Sequence, residues 1–309
     1  MSDQEVNELG RLRLTMLTAL VPAIWGTTYV VTTQMLPPGT PLFASLVRAL
    51  PVGLIALALT RVVPHGSWWW KSVVLGVLNI GAFFPLLFLS AYHLPGGVAA
   101  TLGAVQPLIV AVLAILILQQ RFSPWRFAWG MVGVVGVALV VLRSTATLDA
   151  VGLLAGLLGA VSMALGVTLT KKWGRPEGVS ATAFAGWQLT AGGLFLLPVT
   201  LLLEGVPARI DTVALTGFLW LGLVGGLFSY IVWFNSIGKL PVVSVAVLGL
   251  ISPLMAAVLG WLVLGQSLGW LQLLGFALAL TAIVAGQLAP TTRTSEPCPL
   301  STEAQSSSR

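Results

Sequence analysis

The stretch Pro241–Gln266, PVVSVAVLGLISPLMAAVLGWLVLGQ, occurs twice in this chain. Slid back by 146 residues, it falls without a gap on Pro95–Gln120, PGGVAATLGAVQPLIVAVLAILILQQ. About a dozen positions are identical, among them Pro95/Pro241, Gly103/Gly249, Pro107/Pro253 and Gln120/Gln266. Each copy is an apolar run long enough to cross a bilayer, with a proline near its middle. Two copies of one membrane unit in a single chain are the hallmark of solute carriers.

The composition agrees. Of 309 residues, 57% are hydrophobic and 8% charged, and the mean hydropathy is +0.98. A soluble domain carries about 25% charged residues, so the solvent for this surface is lipid. The net charge of +6 does not point to nucleic acid, because the cations sit in short loops where they set membrane orientation. The single cysteine, Cys298, lies in a polar tail, which excludes an internal disulfide and a thiolate metal cluster. The opening MSDQEVNELG lacks the basic start and short apolar run of a signal peptide.

Breaks at Pro, Gly and charge predict an all-α membrane protein with ten transmembrane helices. The spans are near 14–35, 42–60, 72–93, 96–118, 125–142, 149–170, 180–203, 213–237, 242–264 and 268–288. The expected organisation is a cytoplasmic segment 1–13, a first five-helix repeat 14–142, a second 149–288, and a disordered cytoplasmic tail 289–309 rich in Ser, Thr and Pro. With both termini cytoplasmic, twelve cations fall inside and only Arg143 and Arg209 outside, leaving Arg48 within a span.

The duplication extends further. Phe83–Pro95 matches Ser229–Pro241 at the same offset of 146, and the first two spans match the sixth and seventh at an offset of 140, placing Arg48 on Gln188. Five is odd, so the second repeat enters the membrane inverted. The chain resembles the drug/metabolite transporter superfamily in its ten-span EamA-type branch. The residues that carry the resemblance are Trp25-Gly26, Pro41–Arg48, and the twice-used pattern of small residues, proline and an aliphatic run ending at Gln120 or Gln266. It covers roughly residues 14–288 and implies a 5+5 inverted-repeat exporter or exchanger of small metabolites. The family usually ends that run in Glu; Gln stands in both copies here. The aromatic and glycine content is also similar to that of the aromatic amino-acid exporters of this branch.

None of the nine acidic residues lies well inside a span, and His65 and His93 sit at or near helix ends. Hydrolysis, metal binding and proton relay need titratable or ligating groups. The chain is therefore expected to be no enzyme, to hold no cofactor or metal, and to lack a carboxylate-borne proton step.

Several residues are candidates for substrate binding. Arg48 either faces a central cavity and attracts a carboxylate or snorkels to the headgroups. Pro107 and Pro253 free backbone carbonyls at mid-span and form a gating kink beside Gln106 and Ser252, or serve helix packing with Gly103 and Gly249. Trp25 with Tyr29, Asn79 with Phe83, Trp187 with Gln188, and Tyr230 with Asn235 offer flat surfaces and amides for an apolar metabolite, or interhelical glue. Trp68, Trp69, Trp70, Trp125, Trp173 and Trp270 read as an interfacial belt.

The expected partners are a small-molecule substrate and membrane lipids. Pairs such as Gly222/Gly226 and Gly152/Gly156 leave monomer and homodimer both open. The leading expectation is a secondary transporter, by alternating access, of amino acids including aromatic ones, in the bacterial inner membrane. The alternatives are a lipophilic drug or cation exporter and a non-transporting structural or sensory membrane protein.

Overall fold

A computed structural model describes residues 3–93, 102–141, 149–264 and 269–288. Among them there is no strand. The helices are α1 (Asp3–Gly26), α2 (Thr28–Met35), α3 (Pro41–Thr60), α4 (Trp68–Gly76), α5 (Phe83–His93), α6 (Gln106–Leu118), α7 (Pro124–Val141), α8 (Ala150–Trp173), α9 (Ala181–Leu203), α10 (Thr212–Leu219), α11 (Ser229–Lys239), α12 (Val242–Leu248), α13 (Ile251–Leu264) and α14 (Trp270–Gln287). Two wider, π-helical stretches, Val77–Gly81 and Trp220–Phe228, join α4 to α5 and α10 to α11.

Eight helical runs among the described residues are long and apolar enough to cross a membrane. The expected spans 96–118 and 125–142 correspond to the shorter apolar helices Leu102–Leu118 and Pro124–Leu139, which abut residues outside the described set. The protein is a multi-pass membrane protein. The surface agrees, since Leu116, Leu202, Leu203 and Trp270 are 70 to 83% exposed, as suits side chains solvated by lipid rather than water.

Local chemistry sets the boundaries. Asp149, Ser180 and Asp211 each cap a helix by accepting the N–H three residues on. Gly174 and Gly205 stop α8 and α9 with positive φ, a backbone open to glycine without strain. The first span is broken at Thr27, between α1 and α2. The span 242–264 is broken at Gly249–Leu250, just ahead of Pro253. There the expected free carbonyl of Gly249 instead accepts the Ser252 N–H at 3.1 Å, because the chain tightens to three-residue bonds around the ring that lacks a donor. In the equivalent place Val105 precedes Pro107, which enters α6 in its first turn.

The repeats meet through reciprocal contacts. A Cβ on Gly53 of α3 would lie 2.5 Å from the Thr190 backbone nitrogen of α9. A Cβ on Gly193 of α9 would lie 2.6 Å from Leu50 Cβ. Gly53 and Gly193 are equivalent positions, as are Leu50 and Thr190, so each contact is the symmetry mate of the other. The helices run antiparallel: Leu42 lies by Glu204, Gly53 by Thr190 and Ala56 by Gly186. The same holds for α7 and α14, where Gly136 faces Ala279 and Gly133 faces Ala282. Two like units joined by self-reciprocal antiparallel contacts define a pseudo-twofold axis. The glycines exist at these crossings because only they let the backbones come so close.

The small-residue pairs are used within the chain. Gly222 lies against Val52, Gly226 against the Arg48 carbonyl and Gly156 against Leu102 and Ser90.

Candidate functional site

The interior polar residues gather where π-helical stretches meet α3 and α9. Offset by 146, Asn79 in the first stretch corresponds to Gly225 in the second. Offset by 140, Arg48 corresponds to Gln188. The structure pairs them crosswise. Arg48 Nη2 donates to the Gly225 carbonyl at 3.0 Å, and Asn79 Nδ2 donates to Gln188 Oε1 at 2.9 Å. The Gly225 oxygen lies within the second π-helical stretch.

Arg48 is 7% exposed, so its guanidinium turns into the protein rather than snorkelling. Nη1 reaches Thr28 Oγ1 at 3.4 Å, and the guanidinium carbon lies 5.0 Å from the centre of the Phe84 ring. Its Nε has no partner among the described residues. Trp25 Nε1 donates to the same Gly225 oxygen at 2.9 Å, and the Trp25 ring packs on Tyr230 and Trp233 at 5.4 and 5.0 Å.

Two cavities lie among the described residues, one in the second repeat and one lined chiefly by the first. The larger, of about 210 Å³, is lined by Thr170, Gly174, Arg175, Phe184, Phe234, Asn235, Gly238 and Lys239. The smaller, of about 10 Å³, is lined by Thr28, Thr32, Ala44, Ser45, Arg48, Phe84 and Leu221. Phe184 is the repeat counterpart of Ala44, the one equivalent position the two linings share, and the smaller cavity also takes Leu221 from the second repeat. They lie at opposite ends of the molecule. Phe184 is in the first turn of α9. Glu204, just past its last residue, accepts the N–H groups of Leu42 (2.8 Å) and Phe43 (2.7 Å), next to Ala44. A helix of 23 residues separates these ends by about 33 Å. The larger cavity therefore lies at the end carrying Lys171, Lys172, Arg175 and Lys239, and the smaller one, with room for about one water-sized sphere, lies toward the other end.

The remaining candidates fall into three groups. Asn235 lines the large cavity, and Phe234 beside it forms an edge-to-face pair with Phe184 at 6.0 Å. Tyr230, Trp187, Asn79 and Gln188 are packed inside. Trp187 Nε1 donates to the Val62 carbonyl at 2.8 Å, and Phe83 rests on the core against Phe84. Gln106 is partly buried, with Nε2 unbonded among the described residues. Pro107 is buried, and Ser252 with Pro253 lies near α1, where the Ser252 carbonyl fills the space a Cβ on Gly26 would need. The Tyr29 side chain lies outside the described residues. Asn79 and Phe83 do not share one regular turn, because the helix changes register at Ala82.

Trp68 departs from the interfacial belt: it is 9% exposed and packs on Phe184 and Trp187. Trp69, Trp70 and Trp270 are exposed as the belt requires.

Sequence reasoning missed Phe184, Phe234, Thr170, Thr28, Phe84, Gly225 and Glu204. The repeat offsets were the available signal for Gly225, which stands opposite Asn79. No group of three or more His, Cys, Asp or Glu among the described residues is placed to hold a metal.

The long apolar helices and the reciprocal antiparallel contacts between two like halves define a two-repeat, all-helical membrane fold among the described residues. The chain belongs to the EamA-like transporter family, whose model matches it twice, over residues 13–142 and 150–285. It is 45% identical over 266 residues to Protein PecM of Dickeya dadantii, covering 86% of this chain and 89% of that one. It is 25% identical over 210 residues to the "Probable terminal-alkyne amino-acid exporter" of Streptantibioticus cattleyicolor, covering 68% and 70%. A solved crystal structure superposes with a TM-score of 0.76 at 17% identity, over 89% of this chain and 96% of that one, and so shares the fold.

Proposed function

We propose that this protein is a secondary transporter, an exporter or facilitator, of small, partly apolar metabolites, amino acids and aromatic ones among them. It would work by alternating access, with ten spans in a 5+5 inverted topology and both termini cytoplasmic in a bacterial inner membrane. The positive-inside rule then puts the basic end in the cytoplasm. The observation that carries the reading is a pair of unequal cavities, about 210 Å³ and about 10 Å³, that share the equivalent positions Phe184 and Ala44 and lie toward opposite ends. In an inverted repeat, exchanging the conformations of the two units exchanges which cavity is open. The amino-acid relative supports the cargo class.

A non-transporting structural protein gives no reason for a lined cavity. Drug-sized pockets run to roughly 300–1,000 Å³, larger than this one, and a cation exporter wants a buried anion, which neither cavity's lining supplies.

Counterflow tests the reading. Liposomes holding the protein are loaded with unlabelled tryptophan, phenylalanine or threonine, and entry of the labelled compound is followed. Accumulation only in loaded, protein-containing vesicles is the expected result. Exchange of a cationic dye with no amino-acid exchange would move the reading to drug export, and no exchange at all would remove it.

A further inference from the structure

We infer that the preferred cargo is an organic anion, a carboxylate on an apolar or aromatic body, and that its movement carries net negative charge. The inference rests on the two cavities being the transport path. Three cations line that path and no Asp or Glu does. Arg175 and Lys239 line the large cavity, and Arg48 lines the small one. Glu177 follows Arg175 by two residues but is exposed and does not line the cavity. The floor between Phe184 and Phe234 is aromatic, with Thr170 and Asn235 adding hydrogen-bonding groups.

Membrane topology explains loop cations such as Arg175 and Lys239 but not Arg48. That guanidinium is 7% exposed and faces one carbonyl, one hydroxyl and a ring, with Nε left without a partner among the described residues. A buried charge needs a counter-charge or full hydrogen bonding. Among the described residues no carboxylate pairs with it. A cargo carboxylate passing α3 would supply the missing charge and bond to Nε. A cargo ammonium would meet the same field with the wrong sign. A zwitterion gains from its carboxylate and loses from its ammonium, which finds no acidic partner in either lining.

The experiment holds the body fixed and varies the charge. Counterflow of indole-3-propionate, tryptophan and tryptamine is measured at equal concentration in proteoliposomes, with protein-free vesicles subtracted. Because one-for-one exchange moves no net charge, net uptake of each compound into vesicles without preload is then measured under a potassium diffusion potential of either sign. The propionate is expected to exchange at least about tenfold faster than tryptamine, with tryptophan between them. An inside-positive potential should speed its uptake and leave tryptophan unchanged. Arg48→Gln, which copies the residue at the equivalent Gln188, and the exposed double change Arg175→Gln with Lys239→Gln should each shrink the anion preference.

Tryptamine exchanging as fast as the propionate, or a preference untouched by both variants, overturns the inference while leaving a transporter in place. Exchange of none of the three overturns the transport reading itself, and the inference with it.

Discussion

Arg48 Nη2 and Trp25 Nε1 donate to one acceptor, the carbonyl oxygen of Gly225, at 3.0 and 2.9 Å. Two donors from different helices thus close on one oxygen within the widened helix Trp220–Phe228. Removing either donor leaves the other in place, so the two should be coupled. The double-mutant cycle Trp25→Phe with Arg48→Gln is expected to show an interaction of about 0.5–3 kcal/mol in thermal stability in detergent. Additive losses would mean that the shared oxygen does not couple them.

The glycine crossing of α3 and α9 makes a symmetric prediction. Gly53→Ala places a methyl 2.5 Å from a backbone nitrogen, and Gly193→Ala places one 2.6 Å from Leu50 Cβ. Neither neighbour is the far end of a flexible side chain, so the helices must separate. Each change should cost about 1–3 kcal/mol, as overpacking does. Gly10→Ala, with nothing within 4 Å, should be neutral or slightly stabilising. Unfolding temperatures in detergent read all three.

Glu204 ties the end with the smaller cavity. Its two oxygens accept the N–H groups of Leu42 and Phe43, which begin α3 and have no partner in their own helix. Glu204→Ala should cost about 1–2 kcal/mol, the scale of a lost helix cap. It should also loosen the wall beside Ser45. With Cys298 replaced by serine, labelling of Ser45→Cys by a membrane-impermeant thiol reagent is expected to rise when Glu204 is removed. Unchanged labelling would show that this cap holds α3 without holding the cavity shut.

Asp149 carries a pH prediction. Its carboxylate accepts the Gly152 N–H at 2.9 Å and faces His93 Nδ1 at 3.3 Å. These hold its pKa below the usual carboxylate value, the Gly152 bond first. A depressed folded-state pKa gives stability that is present above the unfolded value of about 3.9 and is lost as pH falls through the folded one. Asp149→Asn keeps the cap and removes the charge. The variant should therefore be the less stable at pH 7, and the two unfolding temperatures should converge below about pH 4.

The register of the fold was legible because the repeat is written in the side chains. The offset of 140 put Arg48 on Gln188, and the offset of 146, carried four residues ahead of Phe83, would have put Asn79 on Gly225. The breaks ahead of Pro107 and Pro253 follow from a ring that has no N–H. What stayed hidden belongs to the backbone or to the third dimension. The Gly225 acceptor is a backbone carbonyl in a widened helix, and the letter glycine carries no mark of that. Glu204 reads as a loop residue until α9 is seen to end beside the start of α3. Phe184 stands where the first repeat has Ala44, and an apolar residue on an apolar helix cannot be told from core without knowing which face is open. Trp68 failed as an interfacial residue for the same reason, since its side of α4 is covered by Phe184 and Trp187.

Alternating access makes the two cavities reporters of one equilibrium. Asn235 lines the larger cavity and Ser45 the smaller, and neither takes part in the Arg48–Gly225 or Asn79–Gln188 pairs. In a chain with Cys298 replaced by serine, Asn235→Cys should react readily with a polar thiol reagent from the basic end, and Ser45→Cys only slowly from the other. Saturating cargo added at one face should move the two rates in opposite directions, because a ligand shifts populations only by its unequal affinity for the two states. Enlarging the side chain in the larger cavity, as in Asn235→Trp, should favour the state in which that cavity is no longer formed or block it outright. Either way exchange should fall by about tenfold or more. Rates at the two cysteines that rise and fall together would mean that the cavities breathe with the whole protein. They would then not be two ends of one path.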